Sequence, residues 1–467
     1  MKKQNAPKRP SSQEPVGITR ITVSGYKSIA QEKSIEIRPL TILAGANSSG
    51  KSSIMQPLLL LKQTLEASYD PGALRLDGPN VKFTSADQLL SGVGKGKRAE
   101  NFLVGIELYT VNTRETSPKK ATFKISFGKS PQRGFDVRRM TYADKRVEVP
   151  LRPGMSEEEI LLLLPGLKYD LEWMDQISET FSTALEIPKG LSKSGHPELV
   201  VNHERCFLRL DPEFHTERHF PPASSILAPH IRQVIHLPGL RGTPERTYPV
   251  TAAGPTFSGT FENYTATLIA QWQVSNHTEK LNELSGDLEK LGLTWKVTAK
   301  PINDTQVEIQ VGRLTSALRH GARDLVNVAD VGFGVSQTLP VLVALHAARP
   351  GQLVYLEQPE IHLHPRAQSA MAQVLADAAK RGVRVVAETH SDLLLLGIQT
   401  MVAKGELSPE LVKLHWFSRR EDGVTEVTST DLDETGSFGN WPEDFGEVAL
   451  EAKSRYLDAT DLLQTRH

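Results

Sequence analysis

An α/β fold, with a mainly parallel sheet flanked by helices, is predicted by three observations. First, "SIEIRPLTILAG" reads as a strand entering a glycine-rich turn, and "SSIMQPLLLLKQTLEAS" continues with the apolar spacing of a helix. Second, strand-like and helical pieces alternate late in the chain: "VSQTLPVLVALHAA", "GQLVYLEQ", "PRAQSAMAQVLADAAKR" and "VRVVAETH". Strand, crossover helix and parallel strand is how a chain places helices on both faces of one sheet. Third, the stretch between these two parts has a different texture and reads as a large α+β insertion.

Four regions follow from this reading. Residues 1–17 are polar, basic and proline-containing without periodicity, and read as a disordered basic tail. A nucleic-acid-binding arm is the functional alternative for that tail. Residues 18–99 carry the strand "ITRITVSGY", the glycine-rich turn and its helix. Within 100–315, "NFLVGIELYTV" and "ATFKISFG" read as strands, "SEEEILLLLPGL", "TATLIAQWQ" and "TEKLNELSGDLEKLG" as helices, and "TWKVTAK" with "QVEIQVG" as a hairpin pair. Residues 316–467 hold the βα series and a final strand pair near "VKLHWFSRR" and "VTEVTST". No sustained heptad repeat supports a coiled-coil arm.

The bulk numbers narrow the function classes. Hydrophobic residues at 39% and charged residues at 23% of 467 describe a globular chain with a large core. Lys plus Arg (54) balances Asp plus Glu (55), so no global basic field points to nucleic acid. The single cysteine, Cys206, excludes a disulfide framework and a cysteine-based zinc module. No apolar run approaches the ~20 residues of a membrane span, and none resembles a signal peptide, so a cytoplasmic location is expected.

The most specific motif is G-x-x-x-x-G-K-[ST] at Gly45–Ser52, between a strand and a helix as the motif requires. Its chemistry is phosphate binding. Glycines let backbone N–H groups turn inward around the β-phosphate, and the helix N-terminus adds its dipole. The expected cradle comprises Gly45, Asn47, Ser48, Ser49, Gly50, Lys51, Ser52 and Ser53. Lys51 reaches the β- and γ-phosphates of ATP, and the Ser52 hydroxyl is a Mg²⁺ ligand.

Such a site needs a carboxylate at a neighbouring strand end and a group that activates or orients water. "LVYLEQPEIHLHP" supplies the candidates. Glu357 ends the apolar strand and is the expected magnesium-side carboxylate. Gln358 and Glu360 compete for the water, with Glu360 preferred as base because a glutamine cannot take a proton. The alternative of plain surface acids is weaker in this context. A zinc site at His362 and His364 lacks an evident third and fourth ligand, so these histidines are expected to pack in the turn. "DVGFGVSQTLPVL" puts Gly332, Gly334 and Ser336 at a helix start, a second anion-binding geometry. "VVAETHSD" ends a strand at Glu388-Thr389-His390, where His390 is placed to reach a γ-phosphate.

In that order the motifs resemble the ABC-type ATPase head of the SMC/RecF/OLD group. "ITVSGYKSI", with the step Tyr26-Lys27-Ser28, is similar to their opening strand. "GFGVSQTLP" resembles a variant signature segment, "LEQPEIHLHP" their Walker B and D-loop, and "ETHS" their switch histidine. With "PGLRGTPERTYP" and "FGNWPEDF", the chain resembles bacterial AAA-family ATPases carrying a small C-terminal domain of unknown function.

The resemblance implies a homodimer or higher oligomer in which two subunits sandwich two ATPs, with Gly334 and Ser336 acting on the partner's nucleotide. Where such heads read Asp-Glu, this chain reads Glu357-Gln358, which implies slow hydrolysis. OLD-type nucleases place a D-x-D nuclease after the head. Here "STDLDETG" reads as a polar loop, so a nuclease or other effector is expected on a separately encoded protein. The expected function is an ATP-dependent dimeric switch acting on such an effector or on DNA, in phage defence or DNA repair. The alternatives are an ATP-binding sensor with negligible turnover and a transporter ATPase cassette.

Overall fold

The computed structural model describes residues 16–94, 98–110, 119–131, 134–145, 147–164, 199–211, 222–250, 254–316, 324–439 and 454. Most of the expected N-terminal tail and of "FGNWPEDF" lies outside them. In chain order the first strands are β1 (Gly17–Ser24), β2 (Lys33–Glu36), β3 (Leu40–Gly45), β4 (Asn101–Thr110), β5 (Lys119–Lys129) and β6 (Phe135–Ala143). Then come β7 (Glu148–Leu151), β8 (Val200–Glu204), β9 (Phe207–Asp211), β10 (Ile235–Leu237), β11 (Tyr248–Pro249) and β12 (Val297–Asn303). The last are β13 (Gln306–Gly312), β14 (Leu325–Asn327), β15 (Leu353–Glu357), β16 (Arg384–Glu388), β17 (Val412–Arg419) and β18 (Thr425–Thr430). The helices are α1 (Lys51–Leu65), α2 (Glu157–Leu163), α3 (Ala223–Arg232) and α4 (Thr265–Val274). They continue with α5 (Thr278–Lys290), α6 (Phe333–Ala347), α7 (Pro365–Lys380) and α8 (Asp392–Ala403).

The sheet that organises the site runs β10-β15-β16-β3-β17-β18. Its strands are parallel except β18, which pairs antiparallel with β17. β3 and β16 are buried along their whole length and β15 through Leu356, which is why all three read as continuous apolar runs. Successive side chains still point to opposite faces. Leu43, Tyr355, Val386 and Phe417 join α1 and the other large sheet in one core. Ile42, Val354, Leu356 and Val385 join α4, α6, α7 and α8 in a second. Each fully buried side chain of this kind contributes roughly 1.5–3 kcal/mol.

The second large sheet, β2-β1-β4-β5-β6-β7, is antiparallel throughout. It changes the expected picture of one inserted region over 100–315. β4 to β7 extend the sheet begun by β1, with Ile21 opposite Ile106. β10 lies in the parallel sheet, with His236 opposite Tyr355. β11 to β14 form a small sheet of their own, against which α4 packs. The physical reason is that strand pieces are visible locally while the edge they pair with is a non-local choice. β2 covers one edge of β1, and β4 satisfies the other.

Local chemistry sets the helices that frame the site. α7 starts with Pro365 in its first turn, and the His364 side chain caps it by accepting from Arg366 N. The Ser391 hydroxyl caps α8 by accepting from Leu394 N at 3.1 Å. α1 has Gly50 at its N-cap, which has no side chain to cap the first-turn amides.

Candidate nucleotide site

The P-loop is the turn between β3 and α1. Gly45 has φ +136°, and a Cβ there would meet Phe417 O at 2.1 Å. Gly50 has φ +105°, and a Cβ there would meet Thr425 Oγ1 at 2.3 Å. Both glycines are therefore required by conformation and by the close approach of the β17–β18 hairpin. That hairpin props the loop: Thr425 Oγ1 donates to Ser49 O at 2.8 Å, and Arg419 Nη1 to Ser48 O at 3.3 Å. Asn47 and Ser48 stay exposed while Ser49 is buried.

Lys51 lies buried across its own loop, with Nζ donating to Gly45 O at 2.9 Å and Ala46 O at 2.8 Å. Burial pulls its pKa down from the ordinary lysine value, against the charges of Glu388 and Glu360. The cleft of about 740 Å³ above it is lined by Lys27, Lys51, Ser52, Gln358, Glu388 and His390, together with Asn47 to Gly50 and Ser53.

The carboxylate on Ser52 belongs to Glu388. Ser52 Oγ donates to Glu388 Oε2 at 3.0 Å, and Tyr355 OH donates to Oε1. Glu357, expected at this place, is held elsewhere. Its Oε1 is 3.2 Å from His236 Nε2, and its Oε2 accepts from Gly239 N at 3.1 Å. Strand order explains the difference. β16 is the direct neighbour of β3, with Glu388 beside Leu43, whereas β15 is one strand farther out. Neighbouring strands are about 4.8 Å apart, so the nearer strand end reaches Ser52 first.

The two acids are tuned apart. Burial, then the charge of Glu357, pushes Glu388 up to about 7, against the hydrogen bonds from Tyr355 and Ser52 and the charge of Lys51. Burial also raises Glu357, but His236, the Gly239 amide and Arg241 outweigh it and hold Glu357 below the ordinary carboxylate value.

Gln358 turns the chain with φ +46°, its amide donating to Glu388 O at 2.9 Å. Its side chain lines the cleft. Glu360 does not line it. It is buried behind the turn, accepting from Thr389 Oγ1 at 2.6 Å and His390 N at 3.2 Å, with no partner for Oε2 among the described residues. Burial raises its pKa, against the hydrogen bond from Thr389. His390 does line the cleft, and burial followed by the charge of Lys51 lowers its pKa, against a hydrogen bond to Gly45. Of the two candidates for the water, the structure thus brings Gln358 to the cleft and uses Glu360 to hold the His390 turn. His362 sits in the same turn with φ +68°, its ring 6.1 Å from Phe333.

Gly334 and Ser336 lie in the first turn of α6, outside this cleft. Phe333 beside them is 54% exposed, and Ser336 Oγ donates back to Phe333 O. Residues without a role in the sequence reading also reach the cleft. Lys27 Nζ donates to Gln56 Oε1 at 2.6 Å, and both side chains line it. The step Tyr26-Lys27-Ser28 was the signal for Lys27, and a second strand-end acid was the signal for Glu388.

Two family models match the chain. One, described as an AAA ATPase domain, covers residues 17–134. The other, described as an AAA domain, putative AbiEii toxin, Type IV TA system, covers residues 274–396. The first holds the P-loop, the second the α6 start, the β15 turn and the His390 turn. Both models describe AAA domains, and each matches about a quarter of the chain. Its nucleotide-binding fold is the P-loop α/β fold that the motifs predict. Among curated proteins none matches this ATPase-domain chain. Solved structures similar to it include an SMC head bound to the C-terminal winged-helix domain of ScpA, at 14% identity and TM-score 0.47 over 90% of this chain and 98% of that one. The SMC head domain from Thermotoga maritima matches at 11% identity and TM-score 0.39 over 88% and 98%. An SMC head from Pyrococcus furiosus with an extended coiled coil, bound to the C-terminal domain of ScpA, matches at 12% and 0.45 over 95% and 99%. Among the described residues, no helix is long and apolar enough to cross a membrane.

Proposed function

We propose that this ATPase-domain protein binds ATP with Mg²⁺ in the cleft above Lys51 and hydrolyses it slowly, as a dimeric switch. One observation carries the reading: Lys51, the Ser52–Glu388 pair, Gln358 and His390 converge on a single cleft beside a P-loop. The donor set fits a hard cation. The Ser52 hydroxyl and a buried oxygen of Glu388 lie 3.0 Å apart and would hold the magnesium together with phosphate oxygens and water. A cation bound there would neutralise charge on the β- and γ-phosphates.

The chain's own groups divide the remaining work. Lys51 exchanges its two loop carbonyls for phosphate oxygens. The Gln358 amide orients water but takes no proton, which makes turnover slow. His390 contacts the γ-phosphate, held in place by Glu360 through its backbone amide. Gly334 and Ser336 act on the nucleotide of a second subunit, so that ATP joins the dimer and hydrolysis releases it. The output is a separately encoded effector, or DNA. The toxin–antitoxin wording of the family over 274–396 supports a setting in antiviral defence.

A second reading, an ATP sensor with negligible turnover, is favoured by Gln358 standing where a proton acceptor is usual. Turnover separates the two. The purified chain is expected to release phosphate from ATP at a measurable rate, and Lys51→Ala to lose both nucleotide affinity and release. ATP binding without release by the unaltered chain selects the sensor. Unchanged affinity in Lys51→Ala rejects the cleft as the nucleotide site.

A further inference from the structure

Arg241 occupies a position that the nucleotide chemistry does not by itself require. It lies in the segment after β10 and is only 8% exposed. Its guanidinium spans two pieces of the molecule. Nη1 donates to Gln337 O at 3.1 Å, in the α6 turn that carries Ser336. Nη2 donates to Glu357 O at 2.9 Å and Gln358 O at 3.4 Å, on the turn that faces the cleft. The Gln337 side chain answers by donating to Gly242 O at 3.0 Å, so the link is made from both sides. The charge is taken out of water beside Glu262, Glu360 and Glu357, an expensive placement for a contact that served packing alone.

Gln358 has a positive φ that a non-glycine residue holds only under constraint. Its amide is fixed by Glu388 O, and its carbonyl is fixed by Arg241. Arg241 therefore ties the α6 start to the backbone that carries the Gln358 side chain.

We propose that Arg241 is a positioning residue that couples the two nucleotide sites of a dimer. It joins the α6 start, which meets the partner's nucleotide, to the Gln358 turn, which orients water at the subunit's own. This rests on the ATPase reading above. Docking of α6 on a second subunit sets the Gln358 turn, and turnover rises only when the partner is engaged. A planar fork is needed because one guanidinium serves three carbonyls, which a lysine ammonium cannot reach together.

The test compares Arg241→Lys and Gln337→Leu with the unaltered full chain. Affinity for a fluorescent ATP analogue, ATP-dependent dimer formation and phosphate release per subunit across protein concentrations are measured. In the unaltered chain, release per subunit should climb as dimers form. Arg241→Lys should bind the analogue within about twofold and still dimerise, but release phosphate roughly 10- to 100-fold more slowly. Its rate should no longer climb with dimerisation. Gln337→Leu should show a smaller loss in the same direction, and decides the matter if Arg241→Lys does not fold. The coupling role is overturned if both variants keep the concentration-dependent rate. It is also overturned if release and nucleotide affinity fall together, the mark of a residue that only holds the fold. An unaltered chain that binds ATP but releases no phosphate refutes the ATPase reading, and the coupling with it.

Discussion

Ser52 Oγ donates to Glu388 Oε2 at 3.0 Å, and Tyr355 OH closes on the other oxygen of the same carboxylate. This pair sets the electrostatics of the cleft floor. Glu388 is buried, is raised to about 7, and has Glu357 one strand away at the same register. A divalent cation bound at Ser52 would relieve that crowding by offering Glu388 a positive partner.

The two acids should therefore separate on mutation. Glu388→Gln removes the anion that touches Ser52, and is expected to raise the Mg²⁺ concentration needed for nucleotide binding by ~10-fold or more. Glu357→Gln leaves Ser52 and Glu388 in contact and should change that requirement less, while loosening the Gly239 loop. Nucleotide titrations at graded Mg²⁺ distinguish the two. A larger magnesium defect in Glu357→Gln would return the ligand role to the outer strand.

Turnover should divide Gln358 from Glu360. Gln358 lines the cleft, so Gln358→Ala is expected to slow hydrolysis by ~10²-fold with ATP affinity retained. Glu360 acts through Thr389 and the His390 amide, so Glu360→Gln should give a smaller defect, on the order of tenfold. Single-turnover phosphate release with saturating nucleotide reads both. A Glu360→Gln defect exceeding that of Gln358→Ala makes Glu360 the base after all.

Much of this site was legible in the sequence, and the gaps have a common cause. The P-loop is a contiguous motif whose strand, turn and helix are local, so Gly45 to Ser53 could be read directly. The strand ends at Glu357 and Glu388 were also visible, as apolar runs closing on an acid. Which acid meets Ser52 depends on β16 lying between β15 and β3, and no local pattern encodes strand order. Arg241 was hidden for the same reason. It sits in a loop, and its partners are carbonyls about 100 residues away that leave no side-chain signature.

Stability offers an independent check on the frame behind the P-loop. On α1, Lys62 is fully buried, bonded to Glu66 and donating to Phe257 O at 2.7 Å. Glu66 in turn accepts from Gly259 N at 3.0 Å. Lys62→Ala strands a buried carboxylate and the carbonyls of Phe257 and Arg232, and is expected to cost about 3–5 kcal/mol. Denaturant unfolding measures this. A loss below about 1 kcal/mol would show that water satisfies the group and that the staple is dispensable.

The dimer assignment makes the sharpest prediction. Gly334 and Ser336 sit at the start of α6, and neither lines the cleft of its own subunit. The exposed Phe333 beside them gives this helix start an apolar surface that a second copy would cover. Lys51→Ala should disable the cleft, and Ser336→Arg should block the helix start with a long charged side chain. Each homodimer is then inactive at both sites. In a mixed dimer, the cleft of the Ser336→Arg subunit is intact and faces the intact helix start of the Lys51→Ala subunit. The other site combines both defects. Mixing the two proteins should therefore restore one working site per mixed dimer, with phosphate release greatest near equal amounts. If Ser336 served its own subunit, no mixture could contain a working site. Mixtures that stay inactive at every ratio, while native mass spectrometry shows that mixed dimers form, would place Ser336 in its own subunit's machinery.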